Sequence, residues 1–348
     1  MVWYATREDV KGGLDYPEVA RSNRMIDRAI EAASRDVEAL THREFTPTVD
    51  TREFNWPNQS YARSWRLWLN QHELISVATL ASGGTTISAS DFFLEPSADG
   101  PPYNRIEIDL SSSASFSAGD THQQSIVITG LWGYRNNETT LGATVEALDA
   151  SETGVDVDGD TSAEAGVGSV LRVDDERIEV TGRAQLDTGQ NLGGNLTAST
   201  SDQTVTVSDG TGYAVGEVLL IDSERMLITD IAGNNLTVKR SWDGTTLAAH
   251  SSGADIFAPR TLTVTRGALG TTAATHSTSA TVYRWDPPGP VRELVEALAM
   301  NTVLQKSSGY ARTVGAGENQ RESSGRGLRD LRQRVYVSHG RKARTRAV

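Results

Sequence analysis

Residues 168–181 read GSVLRVDDERIEVT, and residues 216–229, which lie 48 positions further on, read GEVLLIDSERMLIT. Apolar and polar residues alternate on both sides of a short polar turn in each stretch, which predicts two related β-hairpins. A second pair repeats over 26 positions: residues 236–240 read LTVKR, residues 262–266 read LTVTR, and each is followed by Gly-Thr-Thr and then His-Ser. The middle of the chain is therefore predicted to contain an internally repeated β unit.

The order of these pieces indicates how the two copies are arranged. The second copy, at about 204–257, holds both halves in order, whereas the first is split between 155–182 and 261–283. One interpretation is a β unit nested within its sibling, and a tandem array with a degraded copy is the alternative. Either arrangement predicts an all-β, barrel- or sandwich-like domain at 143–286. The residues that repeat are interpreted as structural, as a Glu–Arg pair and a His that caps a turn: Glu176/Glu224, Arg177/Arg225, Arg240/Arg266 and His250/His276.

Helical patterns flank this domain at both ends. Apolar residues recur at spacings of three, four and seven between Pro17 and Thr41, which predicts an amphipathic helix. A second stripe starts after Pro290 and continues to Leu304, and residues 328–335 indicate one more short helical segment. Between residues 49 and 134 the pattern changes to short alternating β segments, including a hairpin around Gly83-Gly84. The predicted fold class is α+β, with a small helical core, a short antiparallel β portion and an inserted all-β domain.

Charge divides the chain in the same places. The 348 residues carry a net charge of −12, to which residues 1–142 contribute −7, residues 143–286 contribute −12 and residues 287–348 contribute +7. We therefore predict three segments with these bounds, the last a helix followed by a basic C-terminal arm. Arginine suits phosphate and carboxylate groups, so the arm is predicted to contact an acidic partner protein or DNA. The predicted contact residues are Arg326, Arg329, Arg332, Arg334, Arg341, Lys342, Arg344 and Arg346.

Only four of the 33 basic residues are lysine. An acidic, arginine-rich composition is typical of a GC-rich genome, and equally of a host that lives at high salt. The sequence leaves both explanations open.

The sequence offers few signals of catalysis or cofactor binding. It contains no cysteine, which excludes disulfides and thiolate chemistry. Residues 156–160 alternate carboxylates as a calcium loop does, but the later positions that need Gly and Glu hold Thr161 and Val167, so a solvated acidic turn is the better interpretation. The six histidines form no close pair, and no nucleophile elbow, P-loop or dinucleotide loop is present. We predict no catalytic site, metal or cofactor.

Two further expectations concern surfaces. Trp56, Trp65, Trp68 and Trp132 concentrate in the first β region, where such clusters are usually core or subunit interface. No apolar run is long enough for a membrane span, and the first residues lack the pattern of a secretory signal, so we expect no membrane association.

With the insert set aside, the chain resembles the head–tail connector, or adaptor, family of long-tailed phages. The resemblance covers about 200 residues and depends on the order of six segments, each weak alone. They are Leu40-Thr41-His42-Arg43-Glu44-Phe45, Leu67-Trp68-Leu69 with Leu74-Ile75-Ser76-Val77, Asp91-Phe92-Phe93-Leu94, Pro101-Pro102-Tyr103-Asn104-Arg105-Ile106-Glu107, Thr129-Gly130-Leu131-Trp132-Gly133-Tyr134, and Pro287-Pro288-Gly289-Pro290-Val291.

The resemblance implies a non-enzymatic structural protein of the virion, assembled in the host cytoplasm and located at the head–tail junction. Adaptors of this kind form a twelve-membered homo-oligomeric ring below the portal protein, contact a tail-side connector or tail-completion protein, and let double-stranded DNA pass without sequence specificity during genome ejection. This chain departs from the pattern through its large insert, which we expect on the outside of the ring.

Two other classes of function stay open at this point. The protein could be a virion surface or carbohydrate-binding protein that acts through the β domain at 143–286. It could also be a polysaccharide hydrolase, which would need paired catalytic carboxylates in a cleft.

Overall fold

The computed structural model describes residues 2–14, 20–56, 63–307, 313–314, 321–322, 325–340 and 342. Strands make up 37% of the chain and helices 24%, and three large antiparallel sheets dominate. The predicted α+β class with a small helical core is therefore wrong, and the fold is β-rich. Local apolar stripes made the helices conspicuous in the sequence, whereas sheet pairing joins strands that lie far apart in the chain and gives a weaker local signal.

The chain divides into two compact units. Met1–Val37 and Glu138–Arg334 form the large unit, and Glu38–Asn137 and Val335–Val348 form the small unit. These units group the chain differently from the three predicted segments, 1–142, 143–286 and 287–348, which stay a prediction.

The small unit contains two antiparallel sheets around one core. A four-stranded sheet has the order β1-β7-β3-β4 and a three-stranded sheet the order β2-β6-β5. The strands are β1 Thr48–Phe54, β2 Arg66–Trp68, β3 Leu74–Ser82, β4 Thr85–Ile87, β5 Phe92–Glu95, β6 Arg105–Ile108 and β7 Ile126–Trp132, with 3₁₀ turns at Ala89–Asp91 and Ser97–Asp99. The predicted hairpin is confirmed, because β3 pairs with β4 and both Gly83 and Gly84 have positive φ. Buried Leu74, Ile106 and Trp132 belong to the core.

The large unit contains a ten-stranded antiparallel sheet between residues 138 and 285. Its order is β12-β15-β14-β13-β16-β11-β10-β17-β8, and β9 pairs with β16. The strands are β8 Glu138–Ala143, β9 Gly154–Asp156, β10 Val170–Val173, β11 Glu176–Asn191, β12 Thr204–Thr206, β13 Val218–Ile221, β14 Glu224–Ala232, β15 Asn235–Trp242, β16 Asp255–Thr265 and β17 Thr281–Trp285, with a 3₁₀ turn at Gly210–Gly212. A two-residue pair, β18 Thr313–Val314 and β19 Arg321–Glu322, lies outside this sheet.

The strand pairing shows that the second copy of the repeat is nested within the first. The outer copy pairs β10 with β11, and β11 then pairs with β16 across residues 179–191 and 255–265. The inner copy, with β12 to β15, lies between these two long strands in the sequence. Each copy has its own buried cluster, one around Ile178 and Leu262 and the other around Met226 and Val238. The nested interpretation is confirmed and the tandem array is wrong.

Five helices complete the described fold. They are α1 Arg7–Leu14, α2 Ala20–Thr41, α3 Gly159–Glu164, α4 Gly289–Ser307 and α5 Gly325–His339. The apolar stripes of α2 and α4 are buried, and a cavity of about 320 Å³ is lined by residues of α2, α4 and α5. None of the described helices is both long and apolar enough to span a bilayer.

Candidate functional site

The predicted basic arm begins on helix α5. Arg329, Arg332 and Arg334 are exposed along this helix, and Arg334 donates to Glu293 of α4 at 2.6 Å with both side chains more than half exposed. The backbone of Arg326 also lies in α5. The Arg326 side chain and residues 341, 344 and 346 lie outside the described part of the chain. Three of the predicted arginines are therefore exposed on one helix, and two of them, Arg329 and Arg332, lie one turn apart in a row on one face.

The end of α5 is anchored in the small unit. The His339 ring packs edge-on against Phe45 and lies 5.3 Å from the Tyr134 ring centre. Arg43 donates from Nε to the His339 carbonyl at 3.0 Å. Burial is the main reason that the pKa of His339 is lowered.

Lys342 was predicted to belong to a free arm, but its side chain turns into the small unit. Its Nζ donates to the His72 carbonyl at 2.7 Å and lies 3.7 Å from a Glu73 oxygen, which also accepts from Arg43. Its backbone N–H donates to Thr41 at 2.9 Å. Burial lowers the pKa of Lys342 to about 8, and the attraction of Glu73 only partly opposes this. In this structure Lys342 anchors the chain end and does not extend the exposed row.

The repeated charged residues form two closely matching buried clusters. In the inner copy, Glu224 accepts from Arg240 Nε and Nη2 at 2.8 Å each, and from the backbone N–H groups of Ser241 and Ala248. His250 lies between two carboxylates, with Nε2 at 3.0 Å from Glu224 and Nδ1 at 2.7 Å from Asp222. The Glu224 side chain is fully buried, whereas that of Asp222 is 62% exposed.

The outer copy reproduces this cluster contact by contact. Glu176 accepts from Arg266 Nε and Nη2 at 2.8 Å each, and from the backbone N–H groups of Gly267 and Ala274. His276 Nε2 lies 2.8 Å from Glu176, and its Nδ1 lies 2.8 Å from Asp174. The predicted Glu–Arg pair is present in both copies, with Arg240 or Arg266 as the arginine. Arg177 and Arg225 instead lie near Glu138 and Asp243.

Each cluster stabilises the copy of the repeat that contains it. Burial raises the pKa of Glu176 and of Glu224, but the bonds from arginine, histidine and backbone N–H outweigh it and leave each pKa at about 2. Both ring nitrogens of each histidine face a carboxylate, so the ring bridges the buried glutamate and the exposed aspartate. Each cluster therefore ties its hairpin to the loop around residue 248 or 274.

The acidic run at 156–160 is also structural. Asp158 accepts from the Thr161 N–H at 2.9 Å, which caps helix α3, and from the Ala143 N–H at 2.6 Å. Asp156 accepts from the Thr261 hydroxyl at 2.5 Å. Among the described residues no group of three or more histidine and acidic side chains could hold a metal ion.

One cavity is lined by five carboxyl side chains, those of Glu8, Asp9, Glu164, Asp286 and Glu296. A space of about 430 Å³ in the large unit is lined by Trp3, Asp9, Arg183 and Glu296, among others. Burial, and then the charge of Asp9, raises the pKa of Glu296. Another lining residue, Arg284, is already engaged by Glu164 at 2.9 Å and Asp286 at 2.9 Å.

The tryptophans divide between core and surface. Trp132 is 1% exposed and belongs to the core of the small unit, whereas Trp56 and Trp65 are only partly buried against it. Trp68 is 52% exposed, and the guanidinium groups of Arg66 and Arg105 lie within 6 Å of its ring centre, at 5.8 and 5.3 Å. Sequence reasoning did not select these arginines, although the alternation in residues 66–68 and 105–107 places them on the same face as Trp68.

No family model, curated protein or solved structure matches this chain.

Proposed function

We propose that the protein is a structural virion protein, a head–tail adaptor that forms a homo-oligomeric ring below the portal and through which double-stranded DNA passes. The observation that carries this proposal is the small unit. Five of the six segments that resemble adaptors lie wholly within Glu38–Asn137, which has its own core and excludes the nested β module. The module belongs to the large unit, together with helices α1 and α4.

The exposed row on α5 supports the proposed portal contact. Arg329 and Arg332 present guanidinium groups on a rigid helix, which suits bidentate bonds to carboxylates of an acidic partner. The rest of the chain is acidic, so DNA in the lumen would be repelled and free to slide. The proposed subunit is β-rich, in place of the small helical core that the sequence predicted.

Ring formation is the first test. We expect light scattering and negative-stain microscopy of the purified protein, alone and with the portal protein of the same virus, to show closed rings, twelve-membered as the resemblance implies. A protein that stays monomeric under both conditions contradicts the proposal. Binding of glycans by such a monomer would favour the virion surface or carbohydrate-binding alternative.

Charge reversal tests the arginine row. We expect the double variant Arg329→Glu/Arg332→Glu to weaken portal binding at least about tenfold, because opposite charges in the contact become like charges. Val337→Glu, which adds a negative charge at an exposed position on another face of the same helix, is the control and should have little effect. Unchanged portal binding by the double variant would remove the arm from the proposal, and an anisotropy titration with duplex DNA over a salt series tests the competing DNA contact.

A further inference from the structure

The outer face of the three-stranded sheet carries six side chains in a grid. Arg66 pairs in register with Glu107, which pairs with Phe93 on the next strand; Trp68 pairs with Arg105, which pairs with Glu95. The residues between them point to the other side and belong to the core or pack against it. We call this grid the aromatic–arginine face, and its members are Arg66, Trp68, Glu107, Arg105, Phe93 and Glu95.

Internal contacts hold the face in one conformation. Arg66 and Arg105 both donate from Nε to the same Glu107 oxygen, at 2.7 and 2.8 Å. Their guanidinium carbons lie 5.8 and 5.3 Å from the Trp68 ring centre. Because these side chains are already ordered, a partner that docks here loses little side-chain entropy.

Two large aromatic side chains on this face are exposed to water. Trp68 is 52% and Phe93 is 53% exposed, on a sheet whose opposite face is buried. Exposed aromatic side chains next to ordered arginines are typical of hot spots, the few residues that contribute most of the binding energy of a protein–protein interface. The two arginines and two glutamates balance in charge, so the grid offers DNA no net positive surface.

The grid is complementary to itself. If a second copy faces it across a two-fold axis that crosses β6 between Arg105 and Glu107, the two rows exchange places. Arg105 of each copy then meets Glu107 of the other, and Arg66 meets the Trp68 ring. Phe93 lies over the aliphatic part of Glu95. One two-fold contact therefore gives two ion pairs and two cation–π contacts.

We propose that the aromatic–arginine face is a docking surface for a second copy of this chain, in a two-fold contact centred on Arg105 and Glu107. The contact goes beyond the adaptor ring and does not depend on it. Because the face is small, the association is weak and depends on protein concentration.

Charge exchange tests this register directly. Arg105→Glu and Glu107→Arg each place like charges opposite one another, so each single variant should weaken self-association at least about tenfold. The double variant restores both pairs. A mixture of the two single variants should also associate, because each chain then supplies the charge that the other lacks. Light scattering over a concentration series, and capture of untagged Glu107→Arg by tagged Arg105→Glu, measure these outcomes.

Glu53→Arg, an exposed change on β1 of the same unit, is the matched control and should leave association unchanged. Circular dichroism of each variant checks that it is folded. The proposal is overturned if the wild type stays monomeric, if the single variants associate as the wild type does, or if folded single variants fail to associate when mixed. The mixing experiment separates this contact from the ring, because a ring formed through other surfaces would not require charges of opposite sign at these two positions.

Discussion

Glu176 and Glu224 each accept hydrogen bonds from an arginine, a histidine and two backbone N–H groups while fully buried. Such a carboxylate compensates the buried charge of its arginine. If the carboxylate is removed, the arginine stays buried without a counter-charge, and this is more costly than losing the ion pair itself. The stability of each copy of the repeat therefore depends on one glutamate.

We expect Glu224→Gln to lower the free energy of unfolding by about 3–5 kcal/mol, because Arg240 and His250 lose the negative charge and one of the two acceptor oxygens that face them. Urea denaturation followed by tryptophan fluorescence measures the loss. Asp222→Asn is the matched control: Asp222 contacts the same histidine but is 62% exposed, so its loss should be under about 1 kcal/mol. Equal losses in the two variants would contradict the assignment of Glu224 as the centre of the cluster.

A fall in pH should lower the free energy of unfolding through the same two residues, Glu176 and Glu224. The folded-state pKa of Glu176 and Glu224 is about 2, below the value of 4.5 for a free glutamate. Each therefore contributes stability that is fully present above pH 4.5 and is lost as the pH falls from 4.5 towards 2, on the order of 3 kcal/mol per residue. Unfolding by urea between pH 7 and pH 3 should show this loss. A double Glu→Gln variant that loses stability with pH as steeply as the wild type would refute the explanation.

Helices and hairpins differ in how far their sequences reveal them. The stripes that predicted α2 and α4 agree with the structure, because an apolar face every three or four residues is a local property. Helix α1 was missed: it has only Val10 and Leu14 as buried apolar residues and contains two glycines, and Gly13 lies against Met300 of α4. Its formation depends on tertiary packing, which the sequence does not display.

Strand β11 shows the same limit for sheets. The repeat predicted the hairpin up to Thr181, but the strand continues to Asn191 through polar residues and Gly182 and Gly189. The strand continues because β16 pairs with it as far as Asn191, through three register shifts. A self-comparison finds only what two copies share, and the long strands that join the inner to the outer copy occur once.

The charge composition located the basic segment, but it could not show which basic side chains are exposed and which are anchored. Lys342 and Arg329 contribute equally to the net charge, yet Lys342 is anchored by the carbonyl of His72 and Arg329 is exposed. Every residue has a backbone carbonyl, so the sequence does not show that those of Thr41 and His72 accept hydrogen bonds from Lys342. Only the fold reveals these contacts. The histidine–carboxylate clusters were partly predictable, because repetition marked their members before their partners were known.

At the scale of the whole molecule, the nested repeat raises the question of whether the outer copy needs the inner one. The buried cluster of the outer copy contains no residue between 188 and 256. Strand β11 leads from the outer copy to the inner one, and strand β16 leads back. These two strands pair with each other, with Leu186 opposite Ala258 and Asp187 opposite Phe257. Arg260 joins the copies through Glu217 at 2.8 Å and through the Gly212 carbonyl at 2.7 Å, and Phe257 pairs with Leu220 of β13.

We expect the outer copy to fold without the inner one. Residues 188–256 can be replaced by Asn-Gly, which forms the two-residue turn that joins Asp187 to Phe257 as a hairpin. Urea unfolding should stay cooperative. The free energy of unfolding should fall less steeply with urea concentration, because unfolding of the shorter chain exposes less surface. Glu176→Gln should then cost the shortened chain as much as it costs the full chain, since its cluster is unchanged. A shortened chain that is unfolded would mean that the two copies form one cooperative unit, and that the inner copy stabilises the strands on which it is inserted.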